Sequence, residues 1–269
     1  MPAKKKKSRP RLKKILDLIH FTQRVSTLIH GKLSERSIYK SVIREAAASN
    51  LTSPTIFLLA PKGQYLKLFD TALPLKIVRR GEKAAGITRT GFRIDLSHSA
   101  IFRNVVTRKQ TCAMSAQDIV KELLPGQAGA YIIQLFNFKK KDTILTPLFK
   151  KGAVTGVLIM SYTEYAGYLS PSVKSLALHI SNAVDTAHQI SERKSVEKAL
   201  RQSEKQYREL TDFLPHPVFE ADLTGKITFA NKAAFELSGY TPFDLKQGVY
   251  LIETLVPEDR QRGLKNLQR

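Results

Sequence analysis

The chain has 269 residues, of which 42% are hydrophobic and 25% charged, a composition typical of a soluble globular protein with one or two domains. One cysteine excludes a disulfide framework, the lack of Cys/His pairs excludes a zinc ribbon, and no apolar run is long enough to span a membrane. The basic N-terminus lacks the apolar core of a secretory signal, so we expect a cytoplasmic protein.

The net charge of +21 lies almost wholly in the first part of the chain. Residues 1–190 carry 31 Lys and Arg against 11 Asp and Glu, and eight of those cations fall in the first 14 residues. We predict a basic disordered tail over residues 1–11. Such a field attracts polyanions, so one alternative hypothesis is a nucleic-acid-associated regulatory protein that uses its basic N-terminal half. No zinc finger or RNP-type strand accompanies the charge, which makes this the less favoured hypothesis.

Two helices are predicted next. Helical periodicity runs from Leu12 to His30 and ends at Gly31, a residue suited to terminating a helix. The apolar residues over 12–30 form two adjacent stripes, one for the domain itself and one for a twin helix in a homodimer. A second helix begins at Ser34, and its buried stripe comprises Ile38, Val42, Ile43 and Ala46.

Short strands and helices are predicted over residues 55–138. Thr55–Leu59 and Tyr65–Phe69 flank a tight turn and form a hairpin. Leu73–Thr90, with Gly81 and Gly86 inside it, is predicted to be irregular. The remaining predictions are a strand at Phe92–Ile94, a short helix capped by Ser97, a strand at Gln110–Met114, a helix at Ala116–Leu124, and a segment at Tyr131–Phe138 whose periodicity favours a helix over a strand.

A second hairpin is the clearest local signal. Thr143–Phe149 and Ala153–Tyr162 are apolar strands around Lys150–Gly152, where the glycine can take a positive φ. The order of elements predicts an α+β fold, an antiparallel sheet flanked by helices.

A long helix over Ser170–Leu214 is predicted to connect two unlike halves of the chain. Ser170 suits its N-cap and Pro171 its first position. An apolar stripe from Val173 to Ile190 slips by three residues before resuming at Val196, an offset that overwinds a coiled coil locally. Residues 171–214 are therefore a signalling helix that forms either a dimer seam or a solvated spacer.

The hairpin and the start of the long helix carry a resemblance. Pro147-Leu148 before the turn and Gly156-Val157-Leu158 after it, followed by Tyr168-Leu-Ser-Pro171, look like the closing hairpin and last helix of the GAF family. The resemblance covers roughly residues 12–190. It implies a small-molecule sensor or dimerisation module whose pocket lies between the sheet and the irregular middle segment. The candidate pocket residues are Phe92, Ile94, His98, Phe102, Cys112 and Tyr131.

The rest of the chain carries a second resemblance. Leu214-Pro-His-Pro-Val218-Phe219, a turn at Asp222–Gly225, Asn231 before a helix, and Ser238-Gly239-Tyr240 resemble the first part of a PAS domain. A PAS domain has about five strands, and residues 215–269 supply two. We therefore expect an incomplete PAS-like segment, from a truncated product or a longer receptor.

Catalytic chemistry is not predicted for this chain. Apart from Arg108 and Lys109, nothing near Cys112 activates its thiol, so a structural cysteine is favoured over a redox or chromophore site. His98 is more often a capping or surface histidine than a ligand. His179 and His188 lack the flanking residues of a phosphoacceptor box, the glycines form no phosphate loop, and no catalytic or metal set has useful spacing.

The sequence therefore predicts a sensory input module. It would bind a small molecule, dimerise through the helices at 12–30 and 171–214, and relay the signal to an effector absent from this chain. A histidine kinase is the favoured effector, ahead of a diguanylate cyclase or a transcription activator. The sequence names no ligand or cofactor.

Overall fold

The computed structural model describes residues 3–49, 53–162 and 166–267. The chain divides into two compact units, Met1–Ser191 and Glu192–Arg269. None of the described helices combines the length and the apolar composition needed to cross a bilayer.

The first unit is built on a six-stranded antiparallel sheet in the order β3-β2-β1-β6-β5-β4. The predicted fold class, an antiparallel sheet flanked by helices, is confirmed. The strands are β1 (Thr55–Leu59), β2 (Tyr65–Thr71), β3 (Arg93–Asp95), β4 (Cys112–Ser115), β5 (Asp142–Lys150) and β6 (Ala153–Tyr162).

The β5–β6 hairpin is the longest ladder of the sheet and matches its prediction. Lys151 and Gly152 both have positive φ, 51° and 74°, the conformation of a two-residue turn whose twist suits a hairpin. Alternate residues of each strand point to opposite faces, so β5 and β6 contribute apolar side chains to both sides of the sheet.

One face of the sheet is covered by three helices: α1 (Ala3–Ile29), α2 (Glu35–Ser49) and the first part of α7 (Ala166–Asp212). The predicted stripe of α2 is buried, together with Tyr39. The fully or almost fully buried residues that meet here include Phe21, Val25, Ile56, Ile144, Leu158, Met160, Val173, Leu176 and Ile180.

The opposite face carries the shorter helices. Leu73–Thr90 is not irregular: it contains the helix α3 (Leu75–Ala85). The prediction overweighted the glycines, since Gly81 lies in close contact with α6 and Gly86 ends α3 in the left-handed conformation. The other elements on this side are α4 (Ala100–Arg108), α5 (Ala116–Leu123), α6 (Gln127–Leu135) and a 3₁₀ turn at Phe138–Lys140.

Three predicted helix starts shift. Ser99, not Ser97, caps α4 through a hydrogen bond from the Phe102 N–H, because the Ser97 hydroxyl is already bonded to Asp95. Helix α7 begins at Ala166, so Pro171 lies inside the helix instead of at its first position. The backbone of α1 is helical from Ala3, where the sequence predicts a disordered tail, since Lys and Arg extend an existing helix at little cost.

Residues 1–2 of the predicted tail and residues 268–269 of the predicted PAS-like segment lie outside the described residues.

The apolar stripe of the long helix has two runs, the first from Val173 to Ile190 and the second from Val196 onwards, and these two runs have different environments. Val173, Leu176 and Ile180 are fully buried in the core of the first unit. Val196 and Leu200, which belong to the second run, are 67% and 57% exposed. The long connecting helix is confirmed, and its first run is a core stripe.

The second unit contains the end of α7 and a small α/β segment. Its strands, β7 (Phe219–Ala221) and β8 (Ile227–Ala230), form the predicted hairpin around Asp222–Gly225. Asn231 caps the next helix and Gly239 ends it, as predicted. The helices are α8 (Lys232–Ser238), α9 (Pro242–Gln247) and α10 (Arg260–Leu267), with 3₁₀ turns at Leu251–Thr254 and Pro257–Asp259.

Candidate functional site

A cavity of about 600 Å³ lies in the first unit, on the sheet face that carries α3 to α6. Small-molecule sites in proteins commonly have volumes of about 300–1,000 Å³. This cavity is therefore large enough for a metabolite-sized ligand.

The floor of the cavity is apolar. Phe57 on β1, Leu68 on β2 and Ile159 on β6 line it from the sheet. The Phe57 ring lies 6.0 Å from the ring of Phe92 and 6.2 Å from that of Phe102, between centroids. The apolar side chains that line it from α5 and α6 are Ile119, Val120, Leu123, Ile132 and Phe136.

Hydroxyl groups line one end of the same sheet face. The Thr55 and Thr71 hydroxyl oxygens lie 2.9 Å apart across β1 and β2, and those of Thr143 and Ser161 lie 2.9 Å apart across β5 and β6. Ser53, which precedes β1, also lines the cavity. Because β1 and β5 begin where β2 and β6 end, these five hydroxyls form a row at one end of the strands.

Two cations line the cavity, and they differ in their partners. The Arg89 guanidinium lies 3.3 Å from the Asp70 carboxylate. The backbone N–H of Arg89 donates to the Glu82 carboxylate at 2.5 Å. The Lys141 ammonium lies 5.7 Å from the centre of the Phe138 ring. Burial lowers the pKa of Lys141, because partial removal from water disfavours its charged form.

Only two of the six predicted pocket residues line the cavity. Phe92 and Phe102 line the cavity. Ile94 is buried in the apolar cluster between the sheet and α4. The other three are not in the lining: His98 is exposed beside Asp95, Cys112 is half-buried on β4, and Tyr131 is exposed on α6.

Sequence reasoning missed the contribution of α3. Val78, Gly81, Glu82 and Ala85 all line the cavity from this helix. Their spacing of three, four and seven residues is the signal of one helix face, and it was available in the sequence. Lys141 was missed because nothing in its local pattern distinguishes it from the neighbouring Lys139 and Lys140.

Outside the cavity, on β4, burial raises the pKa of the Cys112 thiol, because partial removal from water disfavours the thiolate. Among residues 3–49, 53–162 and 166–267, no group of three or more His, Cys, Asp or Glu side chains is placed to hold a metal ion.

Residues 205–269 match the family model of the PAS domain. A comparison with curated proteins finds no match. The PAS-like prediction for the last part of the chain therefore has independent support.

Solved structures similar to the chain are GAF domains and proteins of that fold. They include the GAF domain of a phosphoenolpyruvate-protein phosphotransferase from Acinetobacter, with 14% identity, a TM-score of 0.44, and coverage of 65% of this chain and 97% of the other. A free methionine-R-sulfoxide reductase from Neisseria meningitidis, bound to its substrate, has 12% identity and a TM-score of 0.47, with coverage of 64% and 91%. The phycoerythrobilin-bound GAF domain of a cyanobacterial phytochrome has 14% identity and a TM-score of 0.46, with coverage of 65% and 98%.

These findings agree with the predicted order, a GAF-like domain followed by a PAS-like segment. The similar structures include both a chromophore-binding domain and an enzyme. At such low identities and TM-scores, they add nothing about the ligand, activity or partner of this chain.

Proposed function

We propose that this chain is a cytoplasmic sensory input module. A small molecule in the cavity changes how the sheet holds α7, and α7 passes that change towards an effector outside this chain. One observation carries the proposal: the cavity and α7 use opposite faces of the same two strands. Thr143, Ile159 and Ser161 line the cavity, whereas Ile144 and Leu158 pack in the core that contains α7.

Hydrogen bonds connect the tip of this hairpin to α7. The Phe149 N–H donates to the Ser181 hydroxyl at 2.9 Å, and the Lys151 N–H donates to the Asp185 carboxylate at 2.7 Å. Ser181 and Asp185 are one helical turn apart, so both contacts lie on one side of α7. A ligand that shifts β5 and β6 would therefore act directly on the helix.

Exposed apolar residues support a second copy of the chain as the partner. On α1, the stripe of Leu12, Leu16 and Ile19 is exposed while Leu18 and Phe21 are buried, so the helix has an apolar side that the domain does not cover. On α7, the exposed stripe comprises Val196, Leu200, Tyr207 and Leu210. The proposed dimer contact therefore uses residues 12–30 and the part of 171–214 beyond the core, as a two-helix seam.

A histidine kinase is the proposed effector, with a diguanylate cyclase as the other candidate. The PAS match is the support for a multidomain receptor. We propose no reaction for the chain itself, since its cavity is lined mainly by apolar groups and paired hydroxyls.

The test measures helix association without requiring the ligand. Leu200→Cys is introduced into the Cys112→Ser chain, and oxidative cross-linking is followed by non-reducing gel electrophoresis. A dimer seam predicts cross-linking about tenfold or more faster than for Lys62→Cys, a control in an exposed loop, because association raises the effective thiol concentration.

Coupling is tested by filling the cavity. Val78 is half-buried on α3 and lines the cavity, so Val78→Trp places a large side chain where a ligand would lie. We expect the Leu200→Cys cross-linking rate to change while that of Lys62→Cys stays the same. Equal rates for Leu200→Cys and Lys62→Cys would refute the seam, and a rate insensitive to Val78→Trp would refute the coupling.

A further inference from the structure

The charged groups of the cavity are unevenly neutralised, and this indicates the class of its ligand. Lys141 is half-buried and lines the cavity, and its recorded contact is with the face of the Phe138 ring. No described carboxylate forms an ion pair with it. A partly desolvated ammonium without a counter-ion is an energetically unsatisfied group, and an anion beside it would relieve that cost.

The other charges of the lining limit how much negative charge a ligand can carry. Arg89 pairs with Asp70 through one guanidinium nitrogen at 3.3 Å, so part of its charge is already neutralised. Asp17 and Glu82 also line the cavity, and their carboxylates would repel a multiply charged anion. Lys141 therefore offers neutralisation for one negative charge.

The polar and apolar parts of the lining lie at different ends. Lys141 immediately precedes β5, at the strand end where the hydroxyls of Thr143 and Ser161 lie. Farther along the strands, the lining contains the rings of Phe57, Phe92 and Phe102, and aliphatic side chains of α5 and α6 add to its apolar part. Such a cavity would hold a molecule with one polar end and an apolar body.

We propose that the cavity takes a singly charged organic acid with an apolar, preferably aromatic, body. Its carboxylate lies beside Lys141 and the Thr143–Ser161 hydroxyls, and its body contacts the three phenylalanine rings. This assignment rests on the proposed sensory function and specifies its ligand. Nucleotides and polyphosphates are disfavoured because Lys141 can neutralise one negative charge, whereas the carboxylates of Asp17 and Glu82 also line the cavity and would repel the others. An amine placed at the same end would be repelled by the Lys141 ammonium, and an amine that bound at Asp17 or Glu82 instead is the competing outcome of the test.

The proposal is tested with three probes that share one body. The probes are 2-naphthoate, 2-naphthylmethanol and 2-naphthylmethylamine, and their binding to the full chain is measured by isothermal titration calorimetry. We expect 2-naphthoate to bind about tenfold or more tightly than the alcohol, since a contact to a charged group exceeds a neutral one by about this factor. The amine should bind more weakly than both.

Two lysine variants identify the group that recognises the charge. Lys141→Met keeps the aliphatic chain and removes the ammonium, so 2-naphthoate should lose about tenfold in affinity while the alcohol is unchanged. Lys140→Met removes the charge of the adjacent, exposed lysine and should change neither. The melting temperature of each variant shows that both remain folded.

Three results would overturn the ligand class: equal binding of acid and alcohol, preference for the amine, or 2-naphthoate affinity unchanged in Lys141→Met. A chain that binds none of the probes would overturn it as well. The cross-linking response to Val78→Trp is measured without any probe. The sensory function can therefore survive any of these four results, and its own failure is recognised separately.

Discussion

Asn231 is the residue whose replacement should most damage the second unit. Its side chain is completely buried and joins the end of α7, the segment before β7 and the start of α8. Its carbonyl oxygen accepts the N–H groups of Val218 and Ala234, both at 2.9 Å. Its amide donates to the carbonyl of Thr211 at 2.8 Å and to that of His216 at 3.0 Å. The variant Asn231→Ala removes all four contacts.

The expected cost follows from what is left without a partner. Loss of the cap on α8 costs about 1 kcal/mol. Each buried backbone group that loses its only side-chain partner costs about 1–3 kcal/mol, with the lower figure for those that water can reach. A total of about 4 kcal/mol, from the cap and three further groups at the lower figure, is a large share of the roughly 5–15 kcal/mol that stabilises an ordinary domain.

Hydrogen exchange followed by mass spectrometry measures this loss segment by segment. At about 1.4 kcal/mol per factor of ten, amides in residues 218–235 should exchange about 100- to 1,000-fold faster in Asn231→Ala. Peptides from the sheet of the first unit should be unaffected, because the contacts of Asn231 lie within residues 211–234.

Asn182→Ala is the matched control, because Asn182 is exposed on α7 and the same atoms are removed. It should leave exchange in residues 218–235 unchanged. If Asn231→Ala exchanged within about twofold of the parent chain, the four hydrogen bonds would not be stabilising the segment, and the reasoning would be wrong.

Two further predictions concern the first unit. A Cβ on Gly156 would lie 2.4 Å from the Phe57 carbonyl oxygen, so Gly156→Ala should cost about 1–3 kcal/mol and lower the melting temperature by roughly 3–10 °C. The control is Gly167→Ala, whose Cβ meets nothing within 4 Å and which should leave the melting temperature unchanged. Equal melting temperatures for the two variants would contradict the close approach at Gly156. Because burial raises the pKa of the Cys112 thiol, iodoacetamide at pH 7.5 should alkylate the folded chain at least about tenfold more slowly than the chain in urea. The alkylation rate should rise with pH, since the thiolate is the reacting form. A folded chain that reacts as fast as the unfolded one would show that Cys112 is a reactive site.

Local patterns in the sequence were sufficient where one interaction decides the structure. Turn chemistry located the β5–β6 hairpin, since Gly152 suits a positive φ. Capping chemistry located the start of α8 at Asn231 and its end at Gly239. Both signals depend on residues within a few positions of each other.

Local patterns were insufficient where packing between residues far apart in sequence determines the structure. Two glycines made Leu73–Thr90 look irregular, yet Gly81 lies buried inside α3, where it faces Ile132 and Phe136. The start of α7 shifted to Ala166 because Ala166 and Leu169 are buried in the core, which extends the helix past the predicted N-cap.

The cavity shows the same division between local and distant information. Of the predicted pocket residues, Phe92 and Phe102 line the cavity, whereas His98, Cys112 and Tyr131 lie outside the lining. The sequence by itself determined the antiparallel sheet, the long helix and the PAS-like hairpin, because periodicity, turn chemistry and capping are properties of neighbouring residues. Only the tertiary structure decided that α3 closes the cavity and that Lys141, rather than Lys139 or Lys140, lines it. Those facts depend on which surfaces meet after the chain has folded, and residues far apart in sequence carry no local signal of that meeting.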